Sequence, residues 1–507
     1  RFIDQELIHF SKYDCDRSIP NLMDGLKISQ RKILFAGFKK RLNAEIKVAQ
    51  FSGYVSEHSG YHHGEASLNG AIVNMAQNFV GSNNINLFEP RGQFGTRLRG
   101  GKDSASERYI FTQLNKITRC IYPEADDKIL RYLDDDGTPV EPVYYVPIIP
   151  MILVNGTKGI GTGFSTDIMQ YNPLQIIMKT RAMLTSDISN APLEIESYYE
   201  GFKGTIQKIN ESKYLIKGVY TKLSQTIIQV TELPVGFWTE DFKEHLETLI
   251  ENKQSASKKS NKAGEKPPAQ VRDYSDMSTD TMVDFRITFA TGAIQNLLEI
   301  SEEHECNGLE KLLKLYTTQS TTNMHLFDGS EHLKKYNKLE EIIQDYYGVR
   351  LGFYQKRKDY LIDEYEKDLV LLSNRARFIQ ETLDDKIDMR KKTKSQIQIL
   401  LSEHKYAKIE GDEEYKYLVK MPMDSVTKEN VDKLLKEKGD KEQELKTLKE
   451  KTIQKMWLDE LETLQCEYLK YRQIRENIQE SKDESGKEDK KKSEKSAKTK
   501  KLVIKKP

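Results

Sequence analysis

Between Lys338 and about His404 the chain contains no proline, and Leu339, Ile343, Tyr347, Leu351, Tyr354, Leu361, Tyr365, Leu369 and Leu372 recur at spacings near three, four or seven. This predicts a long helix reaching away from a body. A second charge-laced stretch, Thr427 to Ile478, carries Leu434, Leu445, Leu448, Ile453, Trp457, Leu461 and Leu464 and is expected to return along the first as an antiparallel partner. The section from Tyr406 to Asp424 then sits at the far end.

The rest of the chain reads differently. Residues 1–190 mix helical periods with glycine-rich turns such as Gly92-Gln93-Phe94-Gly95 and Gly159-Ile160-Gly161-Thr162-Gly163, a compact α/β pattern. From 191 to 335, alternating runs such as Thr226-Ile227-Ile228-Gln229-Val230-Thr231 predict strands, interrupted by a polar, lysine-rich segment at 253–272 that reads as a mobile insertion. The stretch 481–507 is lysine-rich and nearly free of large apolar side chains, so it is expected to remain an unfolded tail. Together these give an α+β multidomain chain with boundaries near 190, 335 and 480.

The 507 residues suffice for several cores. With 79 basic against 78 acidic side chains, the formal charge of +1 announces no polyanion partner, so any nucleic-acid surface must arise from local sorting of charge. Cys15, Cys120, Cys306 and Cys466 lie far apart and form no zinc or redox motif; they read as reduced thiols. No run approaches the ~20 apolar residues of a membrane span, and no signal-peptide pattern opens the chain. Its first residue is Arg, which leads us to expect a fragment of a longer protein.

Three stretches hold residues suited to chemistry. In Ile28–Leu42, Leu34, Phe38 and Leu42 line one helical face while Lys32 and Lys39 project from another; this fits a solvated amphipathic helix or one docked on phosphates. In Tyr61-His62-His63-Gly64-Glu65, two adjacent histidines precede an apolar period at Leu68, Ile72, Met75 and Phe79 that Gly81 ends. They can donate to phosphate at a helix start, ligate a metal, or simply pack. The third stretch runs from Pro90 to Tyr109 and collects five basic side chains, Arg91, Arg97, Arg99, Lys102 and Arg108, among glycines that let a backbone approach a ligand. A tyrosine beside an arginine there is a chemically competent nucleophile toward a phosphodiester, because a guanidinium favours the phenolate and holds a phosphate.

The blocks Arg17-Ser18-Ile19-Pro20-Asn21-Leu22-Met23-Asp24-Gly25-Leu26-Lys27, Gln30-Arg31-Lys32, Tyr61-His62-His63-Gly64-Glu65, Ala76-Gln77-Asn78-Phe79-Val80-Gly81-Ser82-Asn83-Asn84, Gly100-Gly101-Lys102-Asp103, Arg108-Tyr109-Ile110 and Pro147-Ile148-Ile149-Pro150-Met151-Ile152-Leu153-Val154-Asn155-Gly156, in this order, resemble the cleavage-reunion region of eukaryotic-type, type IIA DNA topoisomerase II. The similarity thins toward Tyr471. The resemblance implies a winged-helix cleavage domain at 1–190, a β-rich tower at 191–335, and at 336–480 a coiled-coil arm with a dimerisation gate near 385–430. It implies that Tyr109 attacks a DNA phosphate to form a 5′-phosphotyrosyl bond while Arg108 steadies that phosphate. It places Arg31, Lys32, His62, His63 and Lys102 against the DNA backbone, and Ile160 as a wedge between base pairs.

By the same resemblance the partners are double-stranded DNA and a second copy of the chain, with no membrane. The activity is ATP-dependent passage of one duplex through a transient double-strand break. Magnesium and ATP are expected to be held by domains upstream of this span, and no metal ligands are assigned here. The location implied is the nucleus for a cellular eukaryotic source, and the host nucleus or a cytoplasmic replication site for a viral one. Glu107 departs from the family, where a neutral small residue or proline is commoner. Two alternatives stand beside this reading: a natural subunit of a split topoisomerase, and a non-enzymatic DNA clamp of the same fold.

Overall fold

Helices α1 (Ile8–Ser18), α2 (Ile28–Lys39), α3 (Val48–Ser59) and α4 (Glu65–Ala76) open the fold. In this computed structural model, which describes residues 3–185, 194–257, 270–390, 392–409, 411–422 and 427–503, α2 is the most buried of these four. Ile33 through Phe38 are buried consecutively, so α2 is covered on more than one face and is not the solvated amphipathic helix that its spacing allowed. α4 stops at Ala76, short of the expected Phe79. Gln77 turns extended there, and its side-chain amide donates to the Phe94 carbonyl at 2.8 Å.

Strands β1 (Ile46–Lys47), β2 (Phe88–Arg91) and β3 (Phe111–Leu114) form an antiparallel sheet in the order β1-β3-β2. The rings of Phe51 on α3 and Phe88 on β2 meet with centroids 5.6 Å apart in the core between helices and sheet. Next come α5 (Thr118–Ile121), the hairpin β4 (Tyr132–Asp135) and β5 (Thr138–Pro142), and α6 (Met151–Asn155). The hairpin β6 (Thr157–Ile160) and β7 (Ser165–Ile168) and helix α7 (Pro173–Thr185) follow.

The strand-rich part contains β8 (Thr205–Asn210), β9 (Lys213–Lys217), β10 (Val219–Lys222), β11 (Ile227–Glu232), α8 (Thr239–Ser257), β12 (Val271–Asp276), β13 (Phe285–Phe289), α9 (Ala293–Glu299), α10 (Gly308–Leu312), β14 (Tyr316–Ser320), β15 (Met324–Phe327) and β16 (Leu333–Tyr336). β10-β11-β13-β12 is one antiparallel sheet and β14-β9-β8 another. β11 alternates as its sequence predicts: Ile228 and Val230 point into a core shared with Phe242 and Leu246 of α8 and Phe285 and Ile287 of β13. α8 continues to Ser257 and β12 begins at Val271, so both ends of the expected 253–272 insertion belong to regular elements. Residues 258–269 lie outside the described residues.

Among the described residues the chain continues with helices α11 (Leu339–Leu383), α12 (Lys394–Glu403), α13 (Lys416–Val419), α14 (Lys428–Glu450) and α15 (Ile453–Val503). The chain divides into two compact units, Arg1–Arg350 with Glu460–Pro507, and Leu351–Asp459. Within the second unit α14 runs antiparallel to α11. Lys441 pairs with Asp368 at 3.8 Å, Lys449 pairs with Glu366 at 2.6 Å, Lys358 donates to the Lys451 carbonyl at 2.7 Å, and just past α14 Trp457 of α15 stacks on Tyr354 at 5.1 Å. Partners descend along one helix as they ascend the other. The predicted helix to His404 ends at Leu383; Asp385 takes a positive φ of 54° and Thr393 caps a new helix. Phe378, Ile387, Leu401, Tyr406, Tyr415 and Leu418 form a separate small core there.

Composition led us to expect an unfolded tail from Ser481, yet α15 carries the backbone helically to Val503. The segment has no proline before Pro507 to interrupt the backbone.

Candidate functional site

Tyr109 stands at the mouth of β3. The first backbone N–H groups of α3 have no partners within their own helix; those of Val48 and Ala49 donate instead to the Ile110 and Glu107 carbonyls at 3.0 and 3.1 Å. This clamp holds the Glu107–Ile110 backbone against α3. Ile110 is buried, Arg108 is exposed and Tyr109 is 77% exposed, its own N–H donating to the Ser106 carbonyl at 3.0 Å. Its exposure sets it apart from Tyr122, Tyr145, Tyr171 and Tyr468, which are buried.

Arg108 borders an open cleft of about 610 Å³, lined also by Asn69 and Asn74 of α4, Glu65 and Lys102. The glycine-rich run behind it packs on itself. A Cβ on Gly95, whose φ is +95°, would lie 2.5 Å from the Gly101 carbonyl oxygen. The expectation that these glycines open the backbone to a ligand is therefore corrected for Gly95 and Gly101; they close the loop.

The five basic side chains also sort into two groups. Arg97 is buried against Glu232, Arg99 pairs with Glu240 at 2.6 Å, and Arg91 pairs with Glu89 at 2.7 Å. Lys102 and Arg108 are exposed and make no ion pair among the described residues.

The α2 cations are engaged as well. Arg31 is 6% exposed; its Nε donates to Asp24 Oδ2 at 2.6 Å and its Nη2 to Oδ1 at 3.1 Å and to the Leu26 carbonyl at 2.9 Å. Asp24 also accepts from the Tyr145 and Leu26 backbones at 3.0 Å. Lys32 donates to the buried Glu141 at 2.8 Å and to the Ser59 carbonyl. Arg31 is thus a structural ion pair, which corrects its expected placement against DNA, and Lys32 is half-buried and held.

His62 is exposed, whereas His63 is partly covered: its Nε2 lies 3.1 Å from the Tyr13 hydroxyl, and Tyr61 meets its ring edge-on at 5.4 Å. Burial lowers the His63 pKa, and the positive charges of Arg17, His62 and Lys32 lower it further. Arg17 and Tyr13 were not singled out from the sequence. The electrostatic influence of Arg17 on a histidine 46 positions on leaves no trace in spacing.

Ile160 is 77% exposed at the end of β6, paired across the hairpin with Ser165. It is not a buried turn residue. Among the described residues, no three His, Cys, Asp or Glu side chains are placed to hold a metal ion. No helix among the described residues is long and apolar enough to cross a membrane.

A family model describing the A-subunit of DNA gyrase/topoisomerase IV matches residues 17–462. The chain belongs to this DNA gyrase/topoisomerase IV family. It is 41% identical over 491 residues to DNA topoisomerase 2-alpha of Cricetulus griseus, covering 91% of this chain and 31% of that protein. It is 39% identical over 547 residues to DNA topoisomerase 2 of Arabidopsis thaliana, covering 100% of this chain and 36% of that protein. The chain therefore spans about a third of these relatives. A solved structure titled the DNA-binding, cleavage and re-ligation domain of Plasmodium falciparum topoisomerase II superposes with a TM-score of 0.83 at 39% identity, over 94% of this chain and 65% of that one. The family's mixed helix-and-sheet cleavage and re-ligation fold is accordingly the fold of this chain.

Proposed function

We propose that this chain is the DNA-cleaving and dimerising part of a type IIA topoisomerase, with Tyr109 as nucleophile. The observation that carries this is the clamped, exposed Arg108-Tyr109 pair at the edge of a cleft whose nearby cations, Lys102 and Arg108, are left unneutralised. The phenolic oxygen attacks a DNA phosphate, a P–O bond forms to Tyr109, and the bond to the deoxyribose 3′ oxygen breaks. That oxygen takes up a proton as the phenol loses one. Resealing is the same step reversed, because the phosphotyrosyl ester retains the energy of the broken linkage. Arg108 stabilises the charge on the phosphate through both steps.

In this reading α2 to α4 with the β1-β3-β2 sheet are the winged-helix domain, β8 to β16 are the tower, and the α11–α14 pair is the coiled-coil arm. His62 and Lys102 contact phosphates from the surface, Lys32 and His63 from partly covered positions, and Ile160 is the wedge that bends the duplex. Two copies are needed, one tyrosine per strand. The small core around Leu401, with Ile399 59% exposed beside it, is the second dimer contact. Magnesium supplies Lewis-acid activation of the phosphate when bound. Following the family resemblance, we assign magnesium and ATP to the additional length that the relatives possess. A nuclear location fits such an enzyme in a eukaryotic cell.

The test is Tyr109→Phe in a protein carrying that additional length. Denaturing gels of labelled DNA are expected to lose the covalent protein–DNA species while native binding stays within about two-fold, since one exposed hydroxyl is removed. Covalent product at the wild-type level with Phe at this position would sink the assignment.

A further inference from the structure

One helix touches both the histidine turn and the wedge hairpin. On α1, Tyr13 and Arg17 lie four residues apart on one stripe, and Asp14 and Ser18 on the next. The first stripe faces His63: the Tyr13 hydroxyl is 3.1 Å from its Nε2, the rings lie 6.3 Å apart, and Arg17 acts on it electrostatically. The second faces the tip of the β6–β7 hairpin. The Thr162 hydroxyl donates to Asp14 at 2.8 Å, and the Cys15 thiol donates to the Thr162 carbonyl at 3.4 Å. A Cβ on Gly159 would collide with the Ser18 carbonyl oxygen, so the hairpin lies directly on the helix end. Ile160 projects from this pinned tip.

We propose that α1 is a strut that fixes the offset between the histidine turn and the Ile160 hairpin, with Tyr13 and Thr162 as positioning residues coupling phosphate contact to DNA bending. This rests on the reading of Ile160 as the wedge. A bent duplex pushes back on an inserted side chain, and a two-strand hairpin alone yields to that force. Anchored through Asp14 and Cys15 to a helix whose other stripe abuts His63, the tip resists it. The phosphate grip and the bend are thereby set as one geometry.

The experiment is end-to-end energy transfer on a doubly labelled duplex bound by this chain, beside the melting temperature of the free protein. Thr162→Val is expected to lower the bent-to-straight ratio about three- to ten-fold, the scale of one solvent-exposed net hydrogen bond, with melting unchanged and with Thr162→Ser restoring the bend. Tyr13→Phe is expected to lower it in the same direction, although its hydroxyl faces His63. The double variant is expected to lose no more than the larger single one, because one element carries both contacts. If Thr162→Val lowers the melting temperature, Asp14→Ala removes the acceptor of the same contact from the helix side and decides in its place. Bending at the wild-type level in these variants while Ile160→Ala abolishes it overturns the strut and leaves the wedge. Additive losses also overturn the strut. Unchanged bending in Ile160→Ala overturns the wedge reading itself.

Discussion

Arg31 and Lys102 are both cations in family-like blocks, and the structure gives them opposite environments. Arg31→Ala leaves Asp24 buried and uncompensated, so a loss of about 3–5 kcal/mol in unfolding free energy is expected. Lys102→Ala is expected to leave unfolding unchanged, weaken DNA binding and reduce the salt slope by about 1. Chemical denaturation and a salt titration on both variants check this; a stable Arg31→Ala protein with weakened binding would return Arg31 to the DNA surface.

His63 supplies a pH test. Its pKa lies below the ordinary histidine value of 6.5, so the free protein holds it largely neutral near pH 7. A phosphate beside it favours the imidazolium, so binding takes up a proton and affinity rises as pH falls from about 8 to about 6. Folding responds with the opposite sign, because the unfolded chain binds that proton more readily, and stability contributed here falls as pH drops through the unfolded value. His63→Gln is expected to flatten the His63 part of the binding profile. An equally steep profile in that variant removes His63 from the contact. Block order in the sequence was enough to point to Tyr109 and Arg108. The burial of Arg31 was not legible, because its partner Asp24 lies seven positions back in the preceding block and either residue alone reads as a surface charge.

At the scale of elements, the long helices were readable and their breaks were not. The apolar recurrence from Leu339 to Leu372 lies wholly inside α11, but nothing such as Gly or Pro marks the stop at Leu383. Asp385 provides it by entering the left-handed region, which Asp tolerates better than most residues. The restart follows from local chemistry: Thr393 accepts from the Gln396 N–H while Gln396 reaches back, a capping box within four residues. The heptad-like positions also carry real packing. Trp457 is fully buried and stacks on Tyr354, over which the Arg357 guanidinium sits at 4.4 Å. Trp457→Ala is expected to cost about 3–5 kcal/mol, seen as an early transition in thermal unfolding followed by circular dichroism. An unchanged transition would show that this helix pair does not depend on its buried aromatic stack.

For the whole molecule, a net charge of +1 concealed the site, because most of the basic residues near it are neutralised by carboxylates and only a few remain open to a polyanion. That sorting depends on contacts such as Arg97 with Glu232 and Arg99 with Glu240, more than a hundred positions apart, which a linear reading cannot place. The central claim is that one of the 26 tyrosines, Tyr109, carries the broken strand. Its most direct test is to trap the covalent complex formed with magnesium by a protein carrying the relatives' additional length, digest both protein and DNA, and locate the nucleotide remnant by mass spectrometry. The account predicts a single modified peptide bearing a 5′-phosphoryl nucleotide on Tyr109; a remnant on any other residue, or one attached through its 3′ end, would contradict it.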